Sequence, residues 1–395
     1  MTPQPLCRGF KTAGVVAGLK KNGKPDLALI FSEVPATVAG VFTRNKVQAA
    51  PVRYDRERIQ SGRCQAVIVN SGNANCCTGP KGIEHAATMA QITAARLGID
   101  KDLVLVASTG VIGEPLPIEK IDAAAPELVK SLQPDGVFRF AEAIMTTDTV
   151  PKIVFKEGRI NDKPFTILGV AKGAGMIHPD MATMLSFICT DVEISADRLQ
   201  NALNSAVRHT FNRITIDGDT STNDTALILA NGLSGVHLST SEELQHFQPL
   251  LDDVCLELAK MLVKDGEGAT KLVEIRVKGA RSAQDAHRIA NTIAGSNLVK
   301  TAFFGEDANW GRILGAAGRA DVPIDPDKID LFFNDVQMVK AGMGCGKSVE
   351  AEATRVLKTP EFTVTVDLHL GSESESVFTC DFSLDYVRIN ADYRS

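Results

Sequence analysis

One stretch constrains the chain more than any other: Lys172-Gly173-Ala174-Gly175-Met176-Ile177-His178-Pro179-Asp180-Met181-Ala182-Thr183-Met184-Leu185. A glycine-punctuated loop reaches Pro179, and four residues later a threonine opens the apolar run Met184-Leu185-Ser186-Phe187-Ile188-Cys189. Any fold must therefore bury a strand whose first residue carries a hydroxyl. Such an arrangement suits a self-cleaving N-terminal nucleophile. The Thr183 hydroxyl would attack the Ala182 carbonyl, an N→O acyl shift would give an ester, and hydrolysis would free a Thr183 α-amine. That amine titrates near about 8 when unperturbed, so it can act as base for its own hydroxyl at neutral pH. The same pattern describes an ordinary loop entering a strand, and local pattern alone does not choose between them.

A chain of 395 residues with 44 % hydrophobic and 23 % charged positions is long enough for two or three domains and a substantial core. Net charge is −6, with both signs scattered, which argues against nucleic acid or an anionic membrane as partner. At 5 % aromatic content, stacking platforms for single strands are not expected. The N-terminus shows no signal pattern and no long apolar run follows, so a cytoplasmic location is expected. Cys7, Cys64, Cys76, Cys77, Cys189, Cys255, Cys345 and Cys380 form no C-x-x-C pair, which reads as reduced thiols rather than a zinc site or disulfide framework.

Helical and strand periods alternate. Ile83 to Leu97 reads as a helix with Gly98 as its C-cap. Ser195 reads as the N-cap of a helix burying Leu199, Ala202, Leu203, Ala206 and Val207. Thr240 with Glu243 makes a capping-box pattern before a helix reaching roughly Leu262. Phe362 to Leu370 and Leu272 to Val277 alternate with period two. Such alternation is common in antiparallel sheets covered on one face, so an all-parallel doubly wound fold is not expected. Pro134-Asp135-Gly136 and Lys156 to Lys163 read as surface turns. The class is α/β, and domain boundaries are poorly marked.

Three further features carry chemistry. Ser108-Thr109-Gly110 follows the apolar run Leu103–Ala107 and could offer a hydroxyl beside a backbone N–H, as an oxyanion hole requires. A plain strand-ending turn has the same pattern. Lys172 could bind a carboxylate or keep a nearby amine neutral, or be a solvated lysine. Glu267, between Gly266 and Gly268, could approach a ligand or simply sit in a turn. Gly342 to Ser348 evokes a phosphate loop but lacks glycine at Ala341. Asp217 to Asp224 evokes a calcium loop, but Thr222 and Ile228 replace the required glycine and glutamate. No metal site is indicated.

Taken together, the chain resembles the ornithine acetyltransferase (glutamate N-acetyltransferase) family. The resemblance rests on Asn70-Ser71-Gly72-Asn73-Ala74-Asn75, Ser108-Thr109-Gly110, Lys172–Ile177, Met181–Leu185, Asp217–Asp224, Gly305–Arg312 and the terminal Asn390-Ala391-Asp392-Tyr393-Arg394-Ser395. It implies a sandwich of stacked mixed or antiparallel sheets with flanking helices, like N-terminal-nucleophile hydrolases in logic but of distinct topology. It also implies cleavage between Ala182 and Thr183 into an α chain (1–182) and a β chain (183–395), paired as α2β2. Thr183 would be the nucleophile, and Thr109 with Gly110 the oxyanion hole. Thr146, Lys172, Thr183, Glu267, Asn390 and Ser395 would line the substrate site; the last position is commonly threonine in the family. The implied reaction is ping-pong transfer of acetyl from N2-acetylornithine to glutamate in arginine biosynthesis. No cofactor is implied, although acetyl-CoA is a conceivable co-substrate. A self-processing amidohydrolase or aminopeptidase of the same architecture is the alternative, and a non-catalytic binding protein a more distant one.

Overall fold

The computed structural model describes residues 6–178 and 184–392. Two compact units divide the chain: residues 1–212 with 219–262, and residues 213–218 with 263–395.

The first unit is built on a mixed sheet of β1 (Phe10–Val15), β2 (Leu27–Phe42), β3 (Arg63–Asn73), β4 (Val104–Val111), β5 (Lys152–Ile160), β6 (Lys163–Lys172) and β7 (Leu185–Thr190). After β8 (Ile214–Thr215), which belongs to the second unit, β9 (Thr225–Ala230) completes it. The order is β4-β3-β2-β9-β7-β6-β5, with β1 also beside β2. Along this order β3 with β4 and β7 with β9 pair parallel, and the other neighbours pair antiparallel. Helices cover both faces. On one, Tyr54, Met89, Ile121 and Leu128 of helices Ala50–Arg58, Gly79–Leu97 and Ile118–Lys130 pack on Leu27, Leu29, Ile68 and Val106. On the other, Phe140 and Ile144 of helix Val137–Ile144 pack on Ile30, Val67, Phe187 and Leu229. Phe140 meets Phe187 edge to face at 5.6 Å, an arrangement worth about 0.5–1.5 kcal/mol beyond its buried area. β7 and β9 lie between other strands and under helices, so every residue in them is buried. That explains the largely apolar run after Thr183, where alternation would leave one polar face without partners.

The second unit adds β10 (Leu272–Ala280), β11 (Asp330–Phe333), β12 (Val336–Lys340), β13 (Met343–Gly344), β14 (Glu361–Asp367) and β15 (Glu373–Cys380), ordered β13-β12-β11-β14-β10-β15-β8. One face is sealed by helices Ala283–Ala294, Trp310–Gly318 and Lys347–Leu357 through Ile289, Ile313 and Leu357 on Ile275, Leu331 and Val364. The period-two pattern thus marks a sheet covered on one face, as expected. It does not mark antiparallel pairing: β10 and β14, the two alternating strands, run parallel to each other.

Most local expectations hold. The helix ending at Leu97 is capped by Gly98 at φ 69°. Helix Ala196–His209 buries the five residues named above, although the Ser195 side chain makes no capping bond. Thr240 and Glu243 form a reciprocal capping box (Thr240 N–H to Glu243 Oε2 2.8 Å, Glu243 N–H to Thr240 Oγ1 3.2 Å) before helix Ser241–Lys264. Two readings need correction. Lys156 to Lys163 is not a surface turn but most of a hairpin: β5 and β6 pair up to Ile160 and Lys163, and only Asn161 and Asp162 turn. Both have positive φ (51° and 63°), as a tight type I′ turn requires. The strand predicted to reach Leu370 stops at Asp367, and His369 turns to φ 51°.

Candidate active site

In the first unit the chemistry gathers around Lys172, the last residue of β6. Its ammonium donates to Thr146 Oγ1 at 2.6 Å and lies 3.5 Å from Thr109 Oγ1. It is also 3.5 Å from Asp148 Oδ2, and only 7 % of the residue is exposed. Asp148 is the hub. Its Oδ1 accepts from Lys152 Nζ (2.8 Å) and the Gly173 N–H (2.6 Å), and its Oδ2 from the Thr146 N–H (2.9 Å). Burial alone would raise this carboxyl, but the ammonium groups of Lys172 and Lys152 outweigh it and hold it well below the usual carboxylate range. One buried carboxylate thus orients Thr146 and Lys172 together.

Thr109 and Gly110 occupy the end of β4 rather than a turn after it. Gly110 has φ 132°, and a Cβ there would fall 2.4 Å from the Gly72 carbonyl carbon, so glycine is needed for the close approach of β3. Asn70 and Asn223, from two of the sequence motifs, brace this strand end. Ser108 Oγ donates to Asn70 Oδ1 (2.6 Å), and Asn223 Nδ2 donates to the carbonyls of Ser108 (2.8 Å) and Ala74 (2.7 Å). The next residue, Asp224, grips β7: its carboxyl accepts the Met184 N–H, while the Thr225 N–H donates to the Met184 carbonyl at 3.0 Å. Burial pushes the Asp224 carboxyl well above its ordinary range, against the donors from Met184, Ser221 and Thr43. Among the described residues its Oδ1 has no hydrogen-bond partner.

In the second unit Glu267 is 8 % exposed and accepts from Asn390 Nδ2 at 2.7 Å. The glutamate is held there by the Gly268 turn (φ 69°), whose carbonyl accepts from Ser383 Oγ at 2.6 Å.

Residues 11–395 match the ArgJ family. The chain belongs to the ArgJ family. It is 54 % identical over 390 residues to the arginine biosynthesis bifunctional protein ArgJ of Geobacter sulfurreducens, covering 98 % of this chain and 99 % of that one. The protein of the same name from Symbiobacterium thermophilum is 49 % identical over 391 residues, covering 98 % and 97 %. A crystal structure of the Bacillus halodurans arginine biosynthesis bifunctional protein ArgJ is 44 % identical with a TM-score of 0.51, covering 53 % of this chain and 99 % of that one.

Of the expected site residues, the structure brings Thr109, Thr146 and Lys172 together, and separately Glu267 and Asn390. Ala182, Thr183 and Ser395 lie outside the described residues. Asp148 was missed, although it stands two residues beyond Thr146. Only the four-residue spacing to Lys152 hinted at it, and that spacing is commonplace. Asn70 and Asn223 were seen as motif members without a role.

Proposed function

We propose that this chain is an acetyltransferase of arginine biosynthesis, moving acetyl from N2-acetylornithine to glutamate through an acetyl ester on Thr183. What carries this reading is end-to-end identity of about half the positions with proteins named as arginine biosynthesis bifunctional proteins. In the proposed cycle, cleavage between Ala182 and Thr183 first frees the threonine α-amine. The Thr183 hydroxyl attacks the acetamide carbonyl of the donor while that amine takes its proton. Negative charge on the carbonyl oxygen rests on Thr109 and the Gly110 N–H. The C–N bond then breaks, the proton passes to the departing amine, and ornithine leaves. Glutamate's amine attacks the ester and reverses the steps. Because one amide is exchanged for another, no cofactor is required.

Lys172, aimed by Asp148 and Thr146, suits the carboxylate shared by both substrates. Thr146 beside it, together with Glu267, Asn390 and Ser395, completes the proposed substrate contacts. The word "bifunctional" in the relatives' names supports acetyl-CoA as a second acetyl donor to glutamate. An amidohydrolase is not favoured, since the full-length relatives are named for biosynthesis. The proposal includes fragments 1–182 and 183–395 assembled as α2β2 in the cytoplasm. Among the described residues no helix is long and apolar enough to cross a membrane.

The decisive test is mass spectrometry after incubation with N2-acetylornithine alone. One acetyl should appear on a fragment beginning Thr-Met-Leu-Ser-Phe and disappear on adding glutamate. Initial rates should give parallel double-reciprocal lines, and Thr183→Ala should stay uncut and inactive. Intersecting lines with no acetylated fragment would overturn the mechanism.

A further inference from the structure

The segment between β1 and β2 folds back on one wholly buried carboxylate. Asp26 accepts the N–H groups of Ala17 (2.6 Å), Leu19 (2.5 Å) and Lys20 (2.8 Å), and Lys120 Nζ ties down the Gly18 carbonyl at 2.7 Å. Charge-assisted bonds of this kind fix a loop firmly. They lay the Lys20 stem across Gly72, with Cγ 3.2 Å from where a Cβ on that glycine would stand. Gly72 is the register partner of Gly110, so the lysine is fastened beside the proposed oxyanion strand. Its ammonium donates to a neutral carbonyl, Pro25 O, at 2.7 Å. The charges acting on it are those of Asp26, Lys172, Asp148 and Lys24. Burial and the positive charge of Lys172 lower its pKa to about 8, against the pull of Asp26 and Asp148.

We propose that Lys20 is a specificity residue of this site, binding the side-chain carboxylate of the acceptor glutamate. The proposal rests on the acetyl-transfer reading above. Donor and acceptor share an α-carboxylate but end in opposite charges, an ammonium on ornithine and a carboxylate on glutamate. One site must admit both. Lys172 is already engaged by Asp148 and Thr146, whereas the Lys20 tip, among the described residues, donates to a neutral oxygen. A lysine close to its protonation balance at working pH can release its proton when the cationic side chain is bound and recover it for the anionic one. A fixed charge such as arginine could not do so as readily.

The test separates the two half-reactions in self-cleaved protein. Lys20→Met should be acetylated by N2-acetylornithine within about twofold of the wild-type rate, while its KM for glutamate rises about tenfold, the loss of one modest charged contact. Lys20→Arg should recover most of the glutamate affinity. Calorimetry with glutarate, a dicarboxylate without an amine, gives a second readout on wild-type protein. Its Kd should rise about tenfold from pH 7 to pH 9 as a group titrating near 8 discharges, and that rise should be lost in Lys20→Arg, which separates Lys20 from the Thr183 α-amine titrating in the same range. An unchanged glutamate KM in Lys20→Met, or an equal rise for both substrates, would refute the role. Should that variant fail to fold, a pH-independent glutarate Kd in the wild type refutes it as well. A wild-type protein that N2-acetylornithine does not acetylate fails the acetyl-transfer reading instead, and the glutarate titration still decides for Lys20.

Discussion

Replacing Asp148 by asparagine keeps the side-chain volume and removes only the charge at the hub of the first unit. Lys152, whose side chain is fully buried 2.8 Å away, and Lys172, whose side chain is 8 % exposed 3.5 Å away, would then both lose this carboxylate. Removing one partner of a buried ion pair costs about 3–5 kcal/mol, because the remaining charge stays desolvated. The Lys172 pair alone is worth about 5 kcal/mol at an effective dielectric near 20, part of which Thr146 and water would recover. A loss of that size should lower the urea midpoint of the first unit by about 1–2 M, read by amide exchange in β6. The effect should also depend on pH. Because the folded carboxyl is held below its ordinary value, its stabilisation is present above about pH 4, where the unfolded side chain is ionised. It drains away as pH falls further toward the depressed native value. The gap between wild type and Asp148→Asn should thus be widest at pH 5–8 and close on acidification below about 4. A variant within about 0.5 kcal/mol of wild type at pH 7, the range of ordinary surface changes, or a gap constant into acid, would refute this account.

Two further substitutions probe the strands on either side. Thr109→Ala removes one of two proposed oxyanion donors and should lower kcat by roughly 10²–10³ with KM little changed; steady-state rates near wild type would remove Thr109 from that role. Burial raises the Asp224 carboxyl and so favours its protonated form, and asparagine keeps the shape and an acceptor for the Met184 N–H, so Asp224→Asn should process and turn over nearly normally. Asp224→Ala strands the Met184 N–H at a cost of about 1–3 kcal/mol and should slow self-cleavage on a gel time course. Equal damage from both changes would mean that the carboxyl works ionised.

Local chemistry was readable wherever a residue acts on its own neighbours. The Gly98 cap, the Thr240–Glu243 box and the buried stripe of Ala196–His209 are all set within a few residues of sequence. The β5–β6 hairpin escaped notice because its outer residues are charged and only Asn161 and Asp162 turn, with no glycine to announce them. The boundary between units was equally silent. The chain leaves the first unit for only residues 213–218, adds β8 to the other sheet and returns, so there is no linker to betray it. The oxyanion strand and Lys172 could be nominated from their motifs. Asp148, Lys20 and the bracing asparagines could not, since each also meets a residue far off in the chain: Asp148 reaches Gly173 over 25 positions, Asn70 reaches Ser108 over 38, Asn223 reaches Ala74 over 149, and Lys20 lies across Gly72.

The strand order β2-β9-β7-β6 carries a consequence for when the chain can be cut. β9 and β7 follow position 183, while β2 and β6 precede it, and both ladders between them are complete. A break at 182/183 would therefore leave two interlocked pieces, each holding strands the other needs on both sides. Fragment 1–182 made alone would expose two bare interior edges, at β2 and β6, of the sort that template aggregation. For a chain cut there, assembly would have to come first and scission second. Genes that encoded the halves separately should yield insoluble protein, whereas nicked protein should part only in denaturant.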